Sequence, residues 1–369
     1  MLDEQAQEAV VALTLGAVAG VALFVPFVAA SYRRRGTLTA GRTVLWAAAL
    51  VYFWAIWTYT LLPLPDPDAI RCAGHNVNPL AFVDDIHGAL GRAGGRPLRA
   101  LSDVAVLQLL LNVLLFAPLG FLLRVIGGRG VAVAGAVGLA LSAFVETTQL
   151  TGVWGLYSCA YRVFDVDDML TNTVGALLGS LLALVVPRRH RGRGTDGDAE
   201  APRPVTRPRR LLAMVSDLVG FLLTTAAVAV AIRGWQVYLG DGEPVSPGPL
   251  GPATALVIAA VAGLVPVLAT GGTVGDLAVR LRYTGGPLPA APSRLLRYLG
   301  GIGGYALLLL LPGRWSALAS AYLVLAVLFA LGTRRGRGLP GLFSGQQLTD
   351  ARKQADAILL GDSETGGGK

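Results

Sequence analysis

Three apolar stretches between residues 112 and 179 carry side chains that an apolar medium penalises. They read Asn112-Val-Leu-Leu-Phe-Ala-Pro118-Leu-Gly120, then Glu146-Thr-Thr-Gln149, then Arg162-Val-Phe-Asp165-Val-Asp167-Asp168-Met-Leu-Thr-Asn172-Thr-Val-Gly175. An ionisable residue inside a bilayer span costs about 2.5–3.5 kcal/mol, so it faces a partner or serves a purpose. Three chemistries fit this set. In the first, Arg162 pairs with Glu146 or an Asp, and the amides bond across helices. Such contacts average only about 0.6 kcal/mol, so packing alone does not call for so many. In the second, the set binds a polar headgroup or a glycopeptide. Glu146 and Asp168 recognise charge, Arg162 meets an anionic group, and Asn112, Gln149 and Asn172 orient the ligand. In the third, the oxygens of Glu146, Asp165, Asp167 and Asp168 hold a hard cation such as magnesium or calcium.

Helical spacing decides which of these residues meet. Glu146 and Gln149 are three apart and share a face. Asp165, Asp168 and Asn172 follow at three and four, and Gly175 and Gly179 continue their stripe, where a second helix can approach closely. Asn112, Phe116 and Gly120 share a face, with a kink expected at Pro118. Asn112 lies about 13 Å below the start of its span at 1.5 Å per residue. The expected result is one polar level, in the outer half of a bilayer, fed by three helices.

The chain of 369 residues is 53% hydrophobic and only 15% charged. Repeated apolar runs of about 18 residues or more argue for membrane spans. The expected fold is an all-α polytopic transmembrane bundle of about nine spans: 10–30, 43–62, 103–126, 131–150, 168–186, 211–232, 253–269, 298–311 and 315–331. The run 10–30 follows an acidic leader and reads as a retained span rather than a secretion signal. Two modules are expected, a five-span one over 1–187 and a four-span one over 211–338. A basic Pro/Gly-rich linker (188–210) joins them and a polar tail (339–369) follows.

The net charge of +8 does not imply nucleic acid, because the basic residues lie in the short segments between apolar runs. With alternate segments assigned to the cytoplasm, only Arg71, Arg92, Arg96, Arg99, Arg162, Arg233 and Arg314 of the 31 Lys and Arg fall on the other side. This bias places the N-terminus outside and the C-terminus in the cytoplasm. Cys72 and Cys159 then share the outer, oxidising side, where either a bridge or two free thiols would persist; the shared side favours the bridge. His75 and His87, near Asp84 and Asp85, make a poor zinc set once the cysteines are bridged. His190 reads as a solvated linker residue.

The polar motifs, taken in order, resemble the VanZ-like family of bacterial membrane proteins over about 44–186. Asn76-Val-Asn-Pro79 resembles the Asn-x-x-Pro element of that family's outer loop, with Leu80 where the family usually has Phe. The family takes its name from a protein linked to low-level teicoplanin resistance. The C-terminal half is similar to the RDD family. Arg209, Arg210 and Asp217 fit its entry into the first span, and 271–275 followed by Arg280 fits a later segment, with Asp276 where a Lys is common. Asp350 fits its closing Asp. That resemblance implies transport, with sodium–proton exchange as one form. Asp217 lies about 10 Å inside its span and is expected to pair with Arg209 or Arg210.

Together these readings describe a multi-pass protein of the bacterial cytoplasmic membrane. Its outward-facing polar pocket would engage an envelope lipid, a lipid-linked sugar or a glycopeptide antibiotic, with Asn76 among the ligand-binding residues. A metal-assisted enzyme acting on a lipid-linked sugar and an RDD-type ion transporter are the alternatives. Partners are membrane lipids or an envelope glycoconjugate and, compatibly, further copies of the chain. No cofactor is named by these residues.

Overall fold

The computed structural model describes residues 2–62, 64, 70, 72–188, 191–192, 197–238, 250–311, 315, 317–333 and 337–352. Pro63, Pro65, His190, residues 312–314 and the Arg334-Arg335 pair lie outside them. The protein is all-α and polytopic, with two pairs of short strands. Seven helices among the described residues are long and apolar enough to cross a membrane.

The chain divides into two units, 1–19 with 41–194 and 20–40 with 195–369. The first helix, α1 (Leu2–Arg35), therefore contributes to both, where the sequence assigns all of it to the first module.

The first unit continues with α2 (Ala40–Leu61), β1 (His75–Asn76), α3 (Ala81–Arg92), α4 (Pro97–Ala100), α5 (Val104–Val125), α6 (Val131–Leu150), α7 (Gly152–Gly155), β2 (Phe164–Asp165) and α8 (Val166–Leu182). Asp103 starts α5 by accepting from the Ala105 amide at 3.2 Å. It also holds the Arg92 guanidinium at 2.8 and 2.9 Å. Pro118 sits within α5 and has no N–H to give the carbonyl four residues back. One residue from that carbonyl, the Leu115 oxygen accepts from the Tyr52 hydroxyl at 2.6 Å. Small residues let α5 and α8 cross closely. A Cβ at Gly120 would overlap the Ala176 carbonyl, and one at Gly179 the Ala117 carbonyl. Phe116 is fully enclosed at this crossing level.

The second unit holds α9 (Arg207–Tyr238), α10 (Leu250–Thr270), α11 (Val274–Ala278), β3 (Leu281–Thr284), α12 (Ala290–Leu299), α13 (Ile302–Leu309), α14 (Ala317–Gly332), α15 (Gly338–Ser344) and β4 (Gln347–Asp350). β3 and β4 pair antiparallel, with Leu281 opposite Asp350 and Thr284 opposite Gln347. Val28 and Tyr32 of α1 join Ala213, Val279, Leu281, Tyr283 and Leu348 in its core. That packing is why the second half of α1 belongs here.

Three expectations change. The stretch 298–311 is not one span: it is the end of α12, a break at Gly300-Gly301, and the eight-residue α13. Eight residues rise only about 12 Å. At this break the chain passes close to α15: a Cβ at Gly300 would lie 3.0 Å from the Leu339 oxygen and the Pro340 Cα, so glycine is favoured there. Residues 339–352, read from sequence as the start of a polar tail, contribute to α15 (Gly338–Ser344) and β4 (Gln347–Asp350). The linker, read as unable to bury a core, buries Ala199, Arg209 and Arg210.

Candidate functional site

A short parallel pairing organises the polar region of the first unit. His75 lies opposite Phe164 and Asn76 opposite Asp165. Cys72 and Cys159 are bridged just before it, with Cα atoms 5.5 Å apart. The Ala73 amide donates to the Ala160 carbonyl at 2.8 Å beside the bridge. The bridge and strands hold the long loop after α2 against the entry to α8.

Asp165 is the hub of the region. Its carboxylate caps α8 by accepting from the Asp167 amide at 2.8 Å, and it also accepts from the Asn76 side chain at 3.2 Å. Its own amide donates to Glu146 Oε2 at 3.0 Å. The next carboxylate, Asp167, is buried and accepts from the amides of Leu80 at 2.7 Å and Phe82 at 2.8 Å. It therefore fixes the start of α3, where Leu80 adopts φ 71°. Asp168 accepts from the Asn112 side chain at 2.5 Å. Asn76, Asn112, Glu146, Asp165 and Asp168 thus form one neighbourhood, drawn from the loop, α5, α6 and α8.

Two other expected residues stand beside this neighbourhood in a different role. The Gln149 amide donates to the Thr60 carbonyl at 2.7 Å. Arg162 donates to the carbonyls of Thr60 at 3.2 Å and Leu62 at 3.3 Å, and the Tyr161 hydroxyl donates to Leu61 at 3.3 Å. Together they cap the C-terminal end of α2, whose last carbonyls have no partner inside the helix. Burial is the first cause that lifts the Tyr161 phenol above its ordinary value, with Arg162 opposing it. The expected pairing of Arg162 with Glu146 or an Asp is replaced by this cap. Among the described residues no Arg or Lys makes an ion pair with Glu146, Asp165, Asp167 or Asp168. Asn172 lies buried and donates to Ser142 Oγ at 2.9 Å; its side-chain oxygen is buried with no partner.

Sequence reasoning overlooked Ser142, Thr60 and Tyr161, and it treated Asp167 only as a cation ligand. The acidic first turn of α8 signals capping of that helix, a role Asp165 fills, whereas Asp167 serves the free amides at the start of α3, which local sequence does not reveal. No comparable signal marks a backbone carbonyl such as that of Thr60. Among the described residues no three His, Cys, Asp or Glu side chains are grouped as a metal ion would need.

The second unit contains a separate buried charge system. Arg209 pairs with Asp350 at 2.7 Å and Arg210 with Asp276 at 3.0 Å, all four side chains almost wholly enclosed. Arg352 grips Asp350 at 2.9 and 2.8 Å. Burial by itself would raise the Asp350 carboxyl; the hydrogen bonds from Arg352 and Arg209 outweigh it and hold the group well below the ordinary carboxylate range. Asp217 accepts from Thr273 Oγ1 at 2.7 Å and the Gly275 amide at 2.6 Å. The expected pairing of Asp217 with Arg209 or Arg210 is thus replaced by neutral donors at the start of α11. The close approach of α11 to α9 allows this, as a Cβ at Gly275 would overlap the Ala213 carbonyl. The half-buried Arg280 pairs with Glu200 at 2.5 Å, adopts φ 57°, and accepts from Arg209 on its carbonyl at 2.8 Å.

Compared with known families, residues 44–187 match the VanZ/LLP1 family model. The match coincides with the helices and loop that carry the polar neighbourhood, and no family match supports the RDD resemblance of the C-terminal half. No curated protein and no solved structure matches the chain.

Proposed function

We propose, from a VanZ-like domain over residues 44–187, that this multi-pass protein lies in a bacterial cytoplasmic membrane and engages the polar part of an envelope amphiphile. The class is an envelope lipid, a lipid-linked sugar or a glycopeptide antibiotic. One observation carries the reading: Glu146, Asp165 and Asp168 are gathered at the ends of apolar helices and, among the described residues, accept hydrogen bonds from neutral donors and make no ion pair. Uncompensated carboxylates at membrane depth are costly unless they serve a function. They are good acceptors for sugar hydroxyls and amines. Arg162 is exposed on this side and stands ready to meet an anionic group, although its present partners are carbonyls.

The test compares the wild-type chain with Glu146→Gln and Asp168→Asn after extraction in mild detergent. Native mass spectrometry reads the lipid adducts that copurify, and titrated teicoplanin serves as the glycopeptide probe. Loss of glycolipid adducts or of teicoplanin binding in both variants, with the disulfide and helix content unchanged, is the expected result. Unchanged adducts and unchanged teicoplanin binding would count against the site.

An RDD-like character for the second unit draws support from the two buried Arg–Asp pairs at Arg209 and Arg210. Sodium, lithium or proton flux in proteoliposomes, lost in Asp217→Asn, is the result that reading requires.

A further inference from the structure

A cavity of about 210 Å³ lies inside the second unit. One end is charged, lined by Arg210, Arg297, Asp276 and Asp217 beside the Tyr283 ring. The walls are apolar, formed by residues of α9, α13 and α14 such as Leu218, Ile302 and Leu323. Its size exceeds the roughly 150 Å³ of an engineered cavity that admits benzene.

The two arginines are as buried as an apolar core residue, with 4% and 2% of their surface exposed. Both guanidinium groups lie by the Tyr283 ring, at 5.6 Å for Arg210 and 5.0 Å for Arg297. Arg210 gives one terminal nitrogen to Asp276, and Arg297 gives its terminal nitrogens to Gln346 Oε1 and the Gly271 carbonyl. Among the described residues the Nε–H of each is buried with no acceptor. An unsatisfied charged donor in a low-dielectric site is expensive, so an acceptor belongs there. The neighbouring carboxylates do not supply it. Asp217 already accepts from Thr273 and Gly275 on its two oxygens. Asp276 accepts from Arg210 on one oxygen and from the Thr273 amide at 3.4 Å on the other.

The walls bear on what carries the acceptor. Val215 of α9 and Val327 of α14 line the cavity, yet 45% and 37% of their surfaces stay open. Val215 and Val327 thus belong both to the cavity wall and to the exposed apolar face of α9 and α14, the side toward which a hydrocarbon tail would leave. We infer that this cavity binds an oxyanion carried on an apolar chain, its head at the Arg210 and Arg297 guanidinium groups that line the charged end and its tail passing between Val215 and Val327. The chemical class is a carboxylate or phosphate amphiphile. This inference is independent of the ligand proposed for the first unit.

The experiment uses the full chain in an uncharged detergent, with thermal unfolding followed by the fluorescence of its six tryptophans. Oleate is compared with oleyl alcohol, which keeps the chain without the charge, and with inorganic phosphate, which keeps the charge without the chain. A saturable rise of about 3 °C or more with oleate alone is expected for a ligand well above its Kd. Arg297→Lys keeps a positive charge but lacks the Nε–H, and should weaken the oleate response by about tenfold or more. Ala326→Leu fills the cavity from α14 without touching either arginine, and should abolish the response. If one variant fails to fold, the other and the alcohol control still decide. No response to oleate, an equal response to oleyl alcohol, or an oleate response intact in the folded variants overturns the inference. A response to phosphate alone overturns the tail and leaves a free anion site.

Discussion

The Asn112 amide nitrogen and a carboxylate oxygen of Asp168 stand 2.5 Å apart, although 56 positions separate the residues in the chain. One lies on α5 and the other on α8, the two helices that cross over Gly120, Gly175 and Gly179. The bond exists because glycine removes the side chains that would hold the helix axes apart. Replacing Asn112 with Leu leaves a half-buried carboxylate without its donor, an expected loss of about 1–3 kcal/mol. Asp168→Leu alone strands the amide at a smaller cost. The double Leu variant should recover much of the sum, since two apolar groups of similar shape leave no orphan. Detergent-denaturation curves of the four proteins measure the coupling; strictly additive losses would mean that the bond contributes nothing.

The bridge between Cys72 and Cys159 closes a loop of 87 positions. Cys72→Ser should lower stability by about 2–4 kcal/mol, because the unfolded chain regains the freedom that the bridge removes. In the same variant Cys159 becomes a free thiol. A membrane-impermeant maleimide added to whole cells should then label it if this loop faces outward. Labelling only in inverted vesicles would reverse the orientation read from the arginine distribution.

Asp350 links β4 to Arg209 and Arg352, which are themselves buried. Its folded carboxyl titrates well below the unfolded value of about 3.9. The sign follows from linkage: the contribution is fully present above the unfolded value and is lost as pH falls toward the folded one. Acid unfolding of the second unit should therefore begin below about pH 4 in the wild-type chain. Asp350→Asn leaves two buried guanidinium groups without their counter-charge, an expected loss of about 3–5 kcal/mol at neutral pH. That variant should also lose the part of the acid dependence that Asp350 supplies. Circular dichroism against pH reads both effects; an acid limb equally steep in the variant would assign it to other carboxylates.

The apolar runs and the rise of 1.5 Å per residue are local properties, and they made most of the membrane helices readable from sequence. The boundaries expected for α6, 131–150, are those observed. Alternating topology and helical rise gave the expectation that Asn112, Glu146 and Asp168 share one level, because each depth is counted from the same boundary; the structure joins Asn112 to Asp168 directly. Shared compartment pointed to the Cys72–Cys159 bridge. Partner choice was not local. Arg162 caps α2 rather than meeting a carboxylate, and Asp217 takes donors from the start of α11 rather than from an arginine about two turns away. The split of 298–311 falls at Gly300-Gly301, where Pro340, forty residues further along, packs against the backbone. Periodicity states which residues share a face of one helix. Which donor meets which acceptor is set by how closely two backbones can approach and by the crossing they adopt, and only the folded chain contains that information.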